Sequence, residues 1–141
     1  MLSLAPFSMR TVDSMVSEFR FVADYKNLRE ILMDHELANL GDLYVNLLYS
    51  LALSELRGRP VGMRVDSRIL ADALRRAGLR SLLPSRTDRH RQADAVEALI
   101  VYAWVRGLMS LRDGVEILRR YEDPAEAFCQ LILEVRRRLG M

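Results

Sequence analysis

DHELANLGDLYVNLLYSLALSEL, residues 34–56, is the stretch on which the reading of the fold turns. From Leu40 onward it is apolar on nearly every side, as expected for a central helix around which other elements pack. Yet Asp42 sits inside it. Burying an unpaired carboxylate costs several kcal/mol, so the position calls for a partner, a metal or a wet cleft. Asn46 and Tyr49 follow at i+4 and i+7 and Ala38 precedes at i−4, which places all four on one helical face. The helix thus carries a narrow polar seam, which either faces water or belongs to a site.

Outward from this helix the chain reads as all-α. Alternation of apolar and polar residues is nowhere sustained, and Gly and Pro fall at the breaks between helical segments. A single domain spanning residues 1–141, compact and built of about seven helices, is the expectation. Residues 1–10 have no clear period and read as a loose arm. Val12, Met15, Val16, Phe19 and Val22 mark one face of a first helix, capped by Thr11 or Asp13; Leu28, Ile31 and Leu32 suggest a short second one. The long helix ends by Arg57, before the breaker GRPVG at 58–62. Asp66 is the expected N-cap of the next helix, with Ile69, Leu70, Ala73, Leu74 and Ala77 inward and Gly78 as its stop. Ser110 and Asp113 form a capping-box pattern ahead of Leu111, Val115 and Leu118. Asp123, Pro124 and Glu126 open a last helix whose inner stripe is Ala125, Phe128, Ile132, Val135 and Leu139. Arg136, Arg137 and Arg138 complement its C-terminus.

The net charge is +2, yet Lys26 is the only lysine among 21 basic residues. Arginine forks match phosphate oxygens in two-point geometry, and a biased base composition gives the same enrichment, so placement matters more than number. The lone cysteine, Cys129, reads as a small buried hydrophobe. The longest apolar run, residues 98–105, falls far short of the roughly 20 residues that cross a bilayer. With no signal-peptide pattern at the N-terminus, a cytoplasmic protein without a membrane partner is expected.

A second helix carries acids of its own. RQADAVEALIVYAWVRG, residues 91–107, is apolar nearly all round, but Asp94 and Glu97, spaced i and i+3, project from one face. His90 joins that face if the helix starts early. Asp94 as a cap and Glu97 in solvent is the plain alternative. Two core helices that turn carboxylates toward each other need a cation between them, because carboxylates alone repel. Oxygen donors of this kind suit Mg²⁺, which keeps waters and binds through one or two carboxylates plus phosphate oxygens. Before this helix LRSLLPSRTDRHR, residues 79–91, reads as a connection broken at Pro84. There Arg80, Arg86, Arg89, Arg91 and His90 surround the single acid Asp88, as a solvated loop or as a positive patch.

Leu40-Gly41-Asp42 in one helix and Asp94-Ala95-Val96-Glu97-Ala98-Leu99-Ile100 in a later one together resemble the two signatures of the ribonuclease III catalytic domain. The resemblance covers about residues 25–120. With Arg80, Leu82, Leu83, Pro84, Ser85 and Arg86 ahead of the second signature, the chain is most similar to a short archaeal ribonuclease III-like group. No double-stranded-RNA-binding domain is expected to follow, which makes the chain resemble Mini-ribonuclease III. Carried over position by position, Asp42, Asp94 and Glu97 match the family's catalytic and metal-binding acids. Ala38 stands where the bacterial signature has a glutamate, His35 replaces another family acid, and Val101 replaces the glycine after the second signature. Mini-ribonuclease III also has Leu-Ala before its aspartate, so the loss of that glutamate is compatible with catalysis, while Ala38 leaves open whether one or two metals bind.

The resemblance implies a divalent-metal-dependent endoribonuclease that cuts double-stranded or structured RNA, with ribosomal RNA processing suggested by analogy. Mg²⁺, or Mn²⁺ in its place, would be held by Asp42, Asp94 and Glu97, lower the pKa of a bound water and neutralise phosphate charge. Arg80, Arg86, Arg89 and His90 would contact phosphates, His35 and Asn46 would line the pocket, and the enzyme would be a homodimer. For Asn46, a hydrogen bond within the core is equally open. The rival reading is a catalytically inactive dimer of the same fold that binds RNA or a ribonucleoprotein, as Ala38 would suit.

Overall fold

The computed structural model describes residues 19–141. The arm at residues 1–10 and most of the first expected helix lie outside that range. The described chain is all helical: α1 (Leu28–Leu32), α2 (His35–Arg57), α3 (Ser67–Arg76), a 3-10 turn (Arg80–Leu82), α4 (Arg89–Val105), α5 (Leu111–Leu118) and α6 (Pro124–Leu139). Phe19 to Val22, expected to end a helix, form a turn instead. Here tertiary contacts override the short apolar spacing: the Phe19 ring sits 5.6 Å from Phe21 and 6.3 Å from Trp104, between centroids, so the aromatic pair packs as a non-helical flap.

The caps follow the side-chain chemistry. Asp34, Asp66, Ser110 and Asp123 each accept a backbone N–H of the first helical turn, and Ser110 and Asp113 complete a reciprocal capping box. Gly58 ends α2 in the left-handed region, at φ 69°, where a β-carbon would be strained. One start differs from expectation. Asp88 caps α4 by accepting the Arg91 N–H, so the helix begins at Arg89 and carries His90 and Asp94 on consecutive turns.

The centre of the fold also shifts from the expected place. α4, not α2, is the helix around which the others pack: it touches α1, α2, α3 and α6, and nearly every residue from Gln92 to Val105 is buried. α2 lies along it, with Leu37, Tyr44, Val45, Leu48 and Ala52 inward, while Leu43, Leu47 and Leu56 stay exposed. An apolar stripe on both sides of α2 made it look central; only one side faces the core. Phe128, Leu131 and Ile132 of α6 close the core from the other side, and Cys129 is buried among them.

Candidate active site

Gly41 fixes where α2 meets α4. A β-carbon built on it would lie 2.1 Å from the Glu97 carbonyl oxygen, which no real side chain tolerates. The two backbones therefore touch at this level, and the residue after Gly41 is set beside the acid of the facing helix. That residue is Asp42. The Asp42 carboxylate favours the protonated form of Glu97, by hydrogen bonding and by charge. Glu97 is 7% exposed, whereas the Asp42 side chain is 39% exposed, so the pair runs from the core to the surface.

Burial, then the hydrogen bond to Asp42, then the charges of Asp42 and Asp94 push the Glu97 carboxyl up to about 8. Asp94 is also raised, first by burial, with the positive fields of His35, His90 and Arg91 working against that shift. His35 Nε2 lies 3.3 Å from Arg91 Nη1, and the charges of His35, Arg91 and His90 all act on Asp94. Among the described residues no group of three or more His, Cys, Asp or Glu side chains is close enough to hold a metal ion. The arrangement is a carboxylate pair with a third acid acting on both through its field. Ala38, one turn ahead of Asp42, is 4% exposed and adds no donor.

The polar seam of α2 has a second task that its spacing alone did not reveal. Asn46, Ser50 and Ser54 stand at successive i+4 steps and hold the backbone of the segment between α2 and α3 at every second residue. Asn46 Oδ1 accepts the Val65 N–H at 2.7 Å. The Ser50 hydroxyl accepts the Met63 N–H and donates to the Met63 carbonyl, both at 2.9 Å. Ser54 Oγ accepts the Val61 N–H at 2.8 Å. The result is an extended strap lying along α2. Asn46 Nδ2 also donates to the Asp42 carbonyl at 2.7 Å and to Asp42 Oδ1 at 3.2 Å, so it joins the strap to the site. Arg64, on the strap, reaches both Asp42 oxygens at 3.2 Å. Sequence reasoning missed Ser50, Ser54 and Arg64; the i+4 serines of the seam were the available signal.

The expected phosphate contacts separate into two kinds. Arg80 donates to the carbonyls of Pro84 at 3.0 Å and Ser85 at 2.9 Å, so its guanidinium ties the 79–88 connection together. Arg86, Arg89 and His90 are exposed beside the start of α4.

Residues 35–140 match the family model described as Ribonuclease III. A comparison with curated proteins gives no match. An all-helical fold and a match over most of its length define the chain: it belongs to the ribonuclease III family. This membership points to an RNA-related function and a nuclease domain. None of the described helices is long and apolar enough to cross a membrane.

Proposed function

We propose that the chain is a divalent-metal-dependent endoribonuclease acting on double-stranded or structured RNA, with Asp42 and Glu97 as the metal-holding pair and Asp94 in support. The observation that carries this reading is the Asp42–Glu97 pair beside the tight backbone contact of Gly41 with Glu97. Two carboxylates, one of them buried, leave a like-charge conflict that a proton or a cation relieves. Their oxygen donors fit Mg²⁺ or Mn²⁺, which complete their shells with waters and phosphate oxygens. Such an ion, when bound, supplies an activated water and neutralises charge on the scissile phosphate. The protein's own part is positional: Gly41 sets the distance between the helices, Asn46 orients Asp42, and the field of Asp94 adds to the pull on a cation. Arg86, Arg89 and His90 supply positive charge for phosphates, suited to recognition by shape, since the deep groove of A-form RNA hides its bases.

A homodimer is part of this reading. Leu43 and Leu47, one turn apart on α2, are 68% and 51% exposed, an apolar stripe beside the site that suits a second copy of the chain. Family analogy makes ribosomal RNA precursors reasonable substrates. A non-catalytic, RNA-binding reading is favoured by two observations: Ala38 adds no carboxylate to the face above Asp42, and Arg64 already pairs with Asp42. Incubating purified protein with long duplex RNA and Mg²⁺ separates the two. The enzyme reading expects fragments that disappear in EDTA and in Glu97→Gln; salt-dependent binding with no cleavage in Mg²⁺ or Mn²⁺ supports the other.

A further inference from the structure

The strap delivers a cation to the mouth of the carboxylate pair. Arg64 Nη2 lies 3.2 Å from each oxygen of Asp42, in a contact that is 74% exposed on the arginine and 39% on the aspartate. Burial does not hold the guanidinium there. Backbone does: its neighbours Met63 and Val65 are fastened to Ser50 and Asn46 of α2, so the strap places residue 64 over Asp42. Asn46 Nδ2 donates to Asp42 Oδ1, and Arg64 reaches both Asp42 oxygens while leaving that side chain 39% exposed.

We propose that Arg64 is the resident counter-ion of the Asp42–Glu97 pair and sets its cation affinity, so that a divalent ion enters by taking Asp42 away from Arg64. The proposal rests on the reading of this pair as the metal-holding site. A hard cation and a guanidinium compete for the same outward lone pairs, since an ionised carboxylate has only about four acceptor positions. The contact is exposed and therefore weak, so the exchange reduces the affinity for the incoming ion by a factor of about two to five rather than blocking it. Arg64 acts through Asp42 and is a positioning residue.

The test is titration of Mn²⁺ into the full chain without RNA, followed by calorimetry and by the loss of the free-ion paramagnetic signal. Arg64→Gln is expected to bind Mn²⁺ about two- to fivefold more tightly than wild type, and Arg64→Lys close to wild type. Arg57→Gln removes the same charge from the end of α2 and is expected to leave the affinity unchanged. A merely structural role for Arg64 would loosen the strap and weaken binding. Equal or weaker binding by Arg64→Gln overturns the proposal, as does equal tightening by Arg57→Gln. Asp42→Asn tells this failure from that of the underlying reading. If it abolishes Mn²⁺ binding while Arg64→Gln changes nothing, the metal site stands and only the role of Arg64 falls. If Asp42→Asn binds Mn²⁺ like wild type, both fall.

Discussion

Gly41 and Glu97 meet backbone to backbone: a β-carbon on Gly41 would sit 2.1 Å from the Glu97 carbonyl oxygen. Gly41→Ala must therefore push α2 away from α4 or distort one of them. Overpacking of this kind costs about 1–3 kcal/mol or more. The expected outcome is a lower urea midpoint with unchanged slope, together with a loss of Mg²⁺-dependent activity larger than the unfolded fraction accounts for. A variant as stable and active as wild type would show that the approach is not needed.

Without metal, stability should fall as pH rises toward 8. The Glu97 carboxyl is raised from an ordinary 4.5 to about 8, first by burial and then by Asp42. Between these values the folded state keeps a proton that the unfolded state has lost, so the stability gradient with pH is negative. The contribution is fully present below about pH 4.5 and lost as pH rises through about 8. Asp94, also raised, adds the same sign. Melting temperatures in EDTA should decline over this window, and Glu97→Gln should flatten the decline. A wild-type profile already flat from about pH 5 to 8 would contradict the placement of Glu97.

The strap makes a prediction that hydrogen exchange can read. Ser50→Ala removes the acceptor of the Met63 N–H, and Ser54→Ala that of Val61. Each bond contributes about 0.5–1.5 kcal/mol net. Exchange of those two amides should speed up by about two- to tenfold, while amides in α4 keep their protection.

The arginines before α4 should divide into two classes. Arg86→Ala and Arg89→Ala are expected to weaken duplex-RNA binding and to lower the slope of log affinity against log salt by about 0.7–0.9 each. Arg80→Ala, which frees the carbonyls of Pro84 and Ser85, is expected to lower thermal stability instead. A full salt-slope change from Arg80→Ala with no loss of stability would reverse the assignment.

What the sequence made legible follows from the range of the physics involved. Caps are local, and Asp66, Ser110 and Asp123 could be read from one turn of chain. The start of α4 could not, because its cap Asp88 sits in an arginine-rich run that reads as loop. Asp42 and Glu97 stood out because helical spacing turns them inward and a two-part signature links them. Which helix is central was misread, since apolar content reports hydrophobic surface without saying which side is covered: Leu43 and Leu47 are exposed, whereas Val96 and Val101 are not. Arg64 lies 22 residues from Asp42 on an extended segment without helical period, so no spacing argument reaches it.

The central claim is that Asp42 and Glu97 act as one metal-holding unit for RNA cleavage. Single-turnover cutting of long duplex RNA at saturating Mg²⁺ tests it most directly, comparing wild type, Asp42→Asn, Glu97→Gln and the double variant, each checked for folding. Residues that act as a unit are non-additive, so each single variant should lose about 10³-fold or more and the double variant should be no slower than the worse single one. Single variants that cut at the wild-type rate would contradict the account.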